Sequence, residues 1–322
     1  MPYPWESYFQ LGLVVSAFFR AVRRRQGPVA ELIQRFMADS FFQAIELSGA
    51  DDPAVQLEIR RITQSGGKSL VFAGASYCNI NQLNLHDLDE EKRRQAVRSL
   101  RPVIDEAIDY GCQIFYVMGS KAPAPERADE GRKQFVRSMT ELCDYARQKN
   151  PSSPLTLSVE NFPALQDSPF LIGPTREVAE LLRTVRSNSP NIGLTFDTSH
   201  ILQLQENLLG TYSAVRDVIA HIHLSNCLIR DPSSPFYGDK HPPYGLAGSE
   251  IGVSEIVQFL KGLRDAGHFD QTFPTGKPVL SMEVITPDGR NPEKTLEEAK
   301  VAFLEAWNNF EEGLSASESG GR

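Results

Sequence analysis

With 322 residues, the chain exceeds an ordinary domain but lies within reach of one large α/β unit. Hydrophobic residues make up 41%, enough for a sizeable core, and charged residues 23%, as is usual for a globular protein. The net charge of -8 argues against a nucleic-acid partner, because phosphate binding needs a clustered positive surface.

In chain order, the first apolar run is Leu11 to Phe19, too short to span a membrane. The basic cluster of Arg20 and Arg23 to Arg25 follows that run, the reverse of a secretory signal. A buried opening strand accounts for it, so the expectation is a soluble, cytoplasmic protein with no membrane partner. Short β-rich runs then recur at Leu11–Ser16, Phe42–Leu47, Ser69–Ala73, Gln113–Met118, Leu155–Glu160, Ile192–Asp197, Ile219–Leu224 and Val279–Val284. Runs this continuously apolar suit strands covered on both faces of a parallel sheet. Amphipathic stretches lie between them. Asp89 to Gly111 ends on a glycine fit for a helix C-cap, Thr175 to Ser187 opens on a threonine cap without the capping-box glutamate, and Pro292 to Glu312 starts with proline in the first turn.

Eight strands alternating with about eight helices predict an α/β fold, a single (β/α)8 TIM barrel over residues 1–312, with a doubly wound open sheet as the alternative. Residues 313–322 are small and polar and are expected to form a disordered tail. One connection stands apart. Cys227 to Gly252 runs about two dozen residues without periodicity and carries Arg230, Asp239, Lys240 and His241, which suggests a substrate-covering or ligand-supplying loop on the catalytic rim. The four cysteines, Cys78, Cys112, Cys143 and Cys227, form no CxxC pair and are expected as free buried thiols.

Four of the strand runs end in or near a metal-ligating residue: LTLSVE in Glu160, IGLTFD in Asp197, IAHIH in His223 and VLSME in Glu283. Parallel barrel strands bring their C-terminal ends to one rim, so these side chains should converge. Three carboxylates and an imidazole favour one divalent ion, Mn²⁺ first, with Mg²⁺, Co²⁺ or Zn²⁺ as alternatives. Taken singly, each carboxylate is equally well explained by an ion pair. His200, three residues after Asp197, either contacts substrate, binds a second metal or caps a helix start. Of His221 and His223, read as facing opposite sides of the strand, only His223 is assigned to the barrel interior. Glu46 reads as an ordinary rim carboxylate, and Tyr77, Asn79 and Asn81 either line the mouth or belong to the loop. His86 and His268 fall in no pattern.

In VENF, FDTSH, HIHLSN and SMEV the chain resembles the xylose isomerase-like TIM-barrel superfamily of sugar isomerases and epimerases, over most of its length. Similarity to D-tagatose 3-epimerase implies that Glu160 and Glu283 are catalytic acid and base as well as ligands. It also implies that His200, Arg230 and Asn226 bind a small carbohydrate, although Arg230 stands one residue further from His223 than the epimerase arginine. The activity implied is proton transfer next to a carbonyl through a metal-stabilised enediolate, and dimers or tetramers are frequent among such proteins. The same chemistry admits a lyase or dehydratase acting on a keto-sugar or oxidised glycoside. GDKHPPYGLAGSEIG, residues 238–252, also resembles endonuclease IV, which implies His200, Asp239 and His241 as a second metal position or a loop anchor. That family's histidines after the third and fourth strands have no counterpart in FAGASYCNIN and FYVMGSKAP, so a phosphodiesterase is the weaker reading.

Overall fold

A strand with no polar face must be covered on both sides, and a barrel wrapped by helices supplies that cover. In the computed structural model, which describes residues 3–163 and 169–319, the apolar runs become β1 (Gln10–Val14), β2 (Ala44–Leu47), β3 (Ser69–Ala73), β4 (Ile114–Met118), β5 (Thr156–Glu160), β6 (Ile192–Asp197), β7 (Ile219–Ser225) and β8 (Val279–Glu283). All pair in parallel with their sequence neighbours, and β8 closes on β1, so the single (β/α)8 barrel holds and the open sheet does not.

Eleven α-helices are seen among the described residues: α1 (Val15–Phe18), α2 (Val29–Ala38), α3 (Pro53–Gln64), α4 (Gly74–Ile80), α5 (Glu90–Tyr110), α6 (Ala128–Lys149), α7 (Thr175–Arg186), α8 (Thr198–Gln203), α9 (Leu208–Val215), α10 (Val253–Asp265) and α11 (Pro292–Ser319). Eight of them, all but the short α1, α4 and α8, pack in ring order around the strands. Ion pairs Arg35–Glu293 and Lys300–Asp39 tie the last of the ring to the first. The three short helices follow β1, β3 and β6 directly, at the C-terminal rim.

Local chemistry sets the helix limits. The Asp89 carboxylate accepts the Glu91 and Lys92 amides at the start of α5, and Gly111 ends the helix at φ 80°, a conformation costly for any residue with a Cβ. Thr175 is not the cap expected of it. Pro174 holds that position, and the Thr175 hydroxyl accepts from Asn161 Nδ2 at 2.9 Å. The last helix continues to Ser319, through a segment expected to lack structure, and residues 320–322 lie outside the described residues. All four cysteines are buried and free. No described helix is long and apolar enough to cross a membrane.

One irregularity positions the site. Leu194 pairs with Ile219 but Thr195 with His221, so a bulge at Ala220 slips the register of β6 against β7 by one residue. Asp197 therefore lies opposite His223. Without the slip it would face Ile222, whose side chain points to the other face of the strand.

Candidate metal centre

Glu160 closes β5, Asp197 closes β6, His223 lies two residues short of the end of β7, and Glu283 closes β8. The strand-end convergence expected from the sequence is present, with one ligand atom from each of the four residues within 4.8 Å of the others. His223 Nδ1 is the hub, 3.0 Å from Glu160, 3.1 Å from Glu283 and 3.7 Å from Asp197. Asp197 divides its carboxylate. Oδ1 accepts from Ser199 Oγ, Ser225 Oγ and the His200 amide at 2.7, 2.7 and 2.8 Å, while Oδ2 has no hydrogen-bond partner. Glu283 Oε2, the atom 3.1 Å from His223 Nδ1, likewise has no hydrogen-bond partner.

Three buried carboxylates aimed at one imidazole nitrogen repel each other and lose their hydration, a costly arrangement unless positive charge sits among them. Burial opposes a charged His223, but Glu46, Glu283 and Glu160 outweigh it and raise its pKa well above the ordinary range. Burial raises the Glu160 pKa despite His223 and His200. At Asp197 burial works upward, and the surrounding histidines and Ser225 overcome it. The orphaned oxygens and the hard N/O donor set fit a divalent cation held by Glu160, Asp197, His223 and Glu283.

Behind the hub, the structure corrects two expectations. Residues two apart in a strand share a face, so His221 and His223 both enter the barrel, their rings 4.6 Å apart. Glu46, on β2, is sealed inside rather than placed on the rim. One oxygen accepts from His223 Nε2 at 2.8 Å and the other lies 3.0 Å from His221 Nε2. With Nε2–H given to Glu46, His223 keeps Nδ1 turned toward the cluster, where a bound cation would take the place of its proton. The histidine pair, through Ser281, Thr195 and Ser158, makes a polar chain across an interior that barrels usually fill with aliphatic side chains.

The long loop, Cys227 to Gly252, returns to the rim with Asp239 and His241. Asp239 Oδ1 lies 3.1 Å from His200 Nε2 and 2.8 Å from His241 Nε2. Burial lowers both histidines, but the Asp197, Asp239 and Glu283 carboxylates dominate, leaving His200 raised to about 9 and His241 to about 10. His241 occupies the left-handed region at φ 37°, a strained backbone for a non-glycine. Its carbonyl accepts the Ile285 amide just beyond β8, which pins the loop. His200 Nδ1 is buried without a partner, 3.8 Å from Glu160, so His200 lies between the two clusters.

A cavity of about 630 Å³ opens above these groups, with Glu160, Glu283, His200, Asp239 and His241 in its lining. Asn79 reaches it, as do Phe162, the last residue of VENF, and Phe170, which no pattern had marked. Two predicted substrate contacts are not brought there. Asn226 is buried and spends its amide on Pro243 O, Ser249 Oγ and the Ile251 amide, holding the base of the long loop. Arg230 is largely exposed and pairs with Glu250 at 2.6 Å. Tyr77 lies under the Arg25 guanidinium and Asn81 bonds back to the Tyr77 carbonyl. His86 bonds the Ser120 backbone, and no histidine from the β3 or β4 connections lines the cavity among the described residues.

A closed parallel barrel with carboxylates and imidazoles gathered at its C-terminal rim defines a barrel protein with a metal-competent centre. The chain belongs to the xylose isomerase-like TIM barrel family, whose sequence model matches residues 35–307. No curated protein matches it closely enough to count. Among solved structures, a D-tagatose 3-epimerase-like protein is similar at 16% identity and TM-score 0.68, over 95% of this chain and 99% of that one. The IolI protein with a bound zinc atom gives 16% and 0.69, over 94% and 99%. An AP endonuclease, family 2, from Brucella melitensis gives 15% and 0.61, over 88% and 96%. At such identities the likeness is one of fold.

Proposed function

We propose that the protein is a divalent-metal-dependent isomerase or epimerase acting on a small carbohydrate, with residues 1–312 as one catalytic domain in a cytoplasmic setting. The observation that carries this reading is the meeting of Glu160, Asp197, His223 and Glu283 beneath a cavity of about 630 Å³, large enough for a sugar. A divalent cation held by these four, Mn²⁺ by preference, would supply Lewis acidity to a substrate carbonyl and acidify the adjoining C–H.

Glu160 and Glu283 are the proton carriers of the proposal. Both line the cavity, and burial raises the Glu160 pKa above its ordinary value. One glutamate takes the proton from the carbon beside the carbonyl. Its return from the opposite face gives an epimer, and its return to the neighbouring carbon gives an isomer. Departure of a leaving group instead gives the lyase outcome with the same residues. His200, with Nδ1 free, is placed to meet a substrate oxygen, and the Phe162 and Phe170 rings, 5.4 Å apart, offer an apolar wall that excludes water.

Elemental analysis is expected to find one divalent metal per chain, lost in Asp197→Ala. Solvent exchange in D₂O should mark one carbon of a ketose, and Glu283→Gln should slow it by about 10²–10⁴-fold with the fold intact. Unchanged exchange in that variant removes the assignment. The His200–Asp239–His241 cluster supports one competing reading, a phosphodiesterase with a second metal at those residues. Two metals per chain together with cleavage of an abasic duplex would establish it in place of the isomerase.

A further inference from the structure

The rim that faces the metal-competent cluster across the cavity is basic, although the chain as a whole is acidic. Arg20, Arg23 and Lys240 line the cavity, and an adjoining cleft of about 980 Å³ shares Arg20 and Arg23 and adds Arg24 and Arg290. Two of these arginines are neutralised in place, Arg20 by Asp288 and Arg290 by Glu298. Arg23, Arg24 and Lys240 are exposed and have no carboxylate partner among the described residues. Unpaired cations gathered on one rim repel each other, and the fold accepts that cost while anchoring the segment that carries them. Arg25, in the left-handed region at φ 62°, buries its guanidinium against Glu106 and the carbonyls of Ser48 and Ala50, which fixes residues 20–26 to the barrel.

We propose that the substrate bears an anionic group, a phosphate or a carboxylate, at the end remote from its carbonyl, and that Arg23 and Lys240 receive it. This deepens the isomerase reading and rests on it. The charge layout orients such a molecule in one sense. Glu160, Asp197 and Glu283 gather at the floor and the unpaired cations stand at the rim, so an anionic end is favoured at the rim while the carbonyl end enters first. Arg23 offers a planar fork that matches two oxygens of a phosphate or carboxylate, and Lys240 adds a mobile point charge from the long loop.

The test uses Mn²⁺-loaded full-length protein titrated calorimetrically with fructose, fructose 6-phosphate and 5-ketogluconate, with D₂O exchange followed on the same samples. Expected is at least about tenfold tighter binding of one of the two anions than of fructose, equivalent to about 1.4 kcal/mol. That preference should shrink with added salt and disappear in the double variant R23Q/K240Q, both of whose sites are exposed. The phosphate ester and the carboxylate distinguish the two sources of the anion. Equal binding of fructose and both anions, no binding of any, or a preference that survives the double variant overturns the proposal. Tighter, salt-sensitive binding of an abasic duplex than of either anion overturns it in favour of a nucleic-acid backbone. Exchange of fructose without anion preference leaves the isomerase standing and removes this inference. Variant-sensitive anion binding with no exchange in any ketose does the reverse.

Discussion

A carboxylate sealed inside a barrel costs several kcal/mol unless charge or hydrogen bonds compensate it. Glu46 is compensated by two imidazoles, and its bond to His223 Nε2 at 2.8 Å orients the ring whose Nδ1 faces Glu160, Asp197 and Glu283. Glu46→Gln keeps the volume but removes the charge that holds the ring and makes the imidazole a better donor. Metal affinity, read by titrating the metal-free protein, is expected to fall about 10–100-fold, with the circular dichroism spectrum unchanged. Affinity equal to wild type would leave Glu46 a packing role only. The four converging residues, Glu160, Asp197, His223 and Glu283, were legible because each stands at or near the end of an apolar run, where a polar residue has no reason to be unless the rim uses it. Glu46 carried the same signal, one charge inside FQAIEL, but its partner lies 177 residues away and only the barrel's closure brings them together. The His221 assignment failed on geometry available in the sequence, since a spacing of two keeps both rings on one face.

At the scale of elements, the strand limits were legible to within about two residues because burial on both faces leaves a continuous apolar signature. The Ala220 bulge was not, because an extra residue in an apolar strand leaves no mark in composition, although the facing of Asp197 and His223 depends on it. The long loop announced itself by length, yet its inward residues, Asp239 and His241, could not be told from Arg230, which points to solvent. The loop after β1 offers a direct test of how such segments are held. Arg25 donates to Glu106 at 2.7 Å and to Asp51 at 2.8 Å, and Glu106 also accepts the Ala50 amide and the Tyr110 hydroxyl, so one buried pair joins the connections after β1 and β2 to α5. Arg25→Met removes one partner and strands the other, and chemical denaturation should show a loss of about 3–5 kcal/mol. The double change Arg25→Met with Glu106→Leu should recover part of that loss, because no uncompensated charge remains. A single variant as stable as wild type would mean that this clamp does not hold the loop.

For the molecule as a whole, stability against acid should depend on a residue far from the rim. His268, in the turn after α10, is buried among Tyr212, Phe269 and Phe273, and neither ring nitrogen has a hydrogen-bond partner. Burial alone drives its pKa from 6.5 down to about 4. Between those values the unfolded chain binds a proton that the folded chain refuses, so the stability present above pH 6.5 is lost as pH falls toward 4. A shift of that size corresponds to about 3 kcal/mol, a large share of the margin of a typical domain. His268→Phe keeps an aromatic ring in the same cluster and removes the titration. The variant and the wild type should therefore diverge in denaturation midpoint as pH falls through that window, with the variant holding its stability where the wild type declines. Parallel curves would show that the ring meets water or a partner in solution and that its burial carries no acid sensitivity. Every other titrating group is common to the two proteins, so the difference between the two curves isolates the single imidazole.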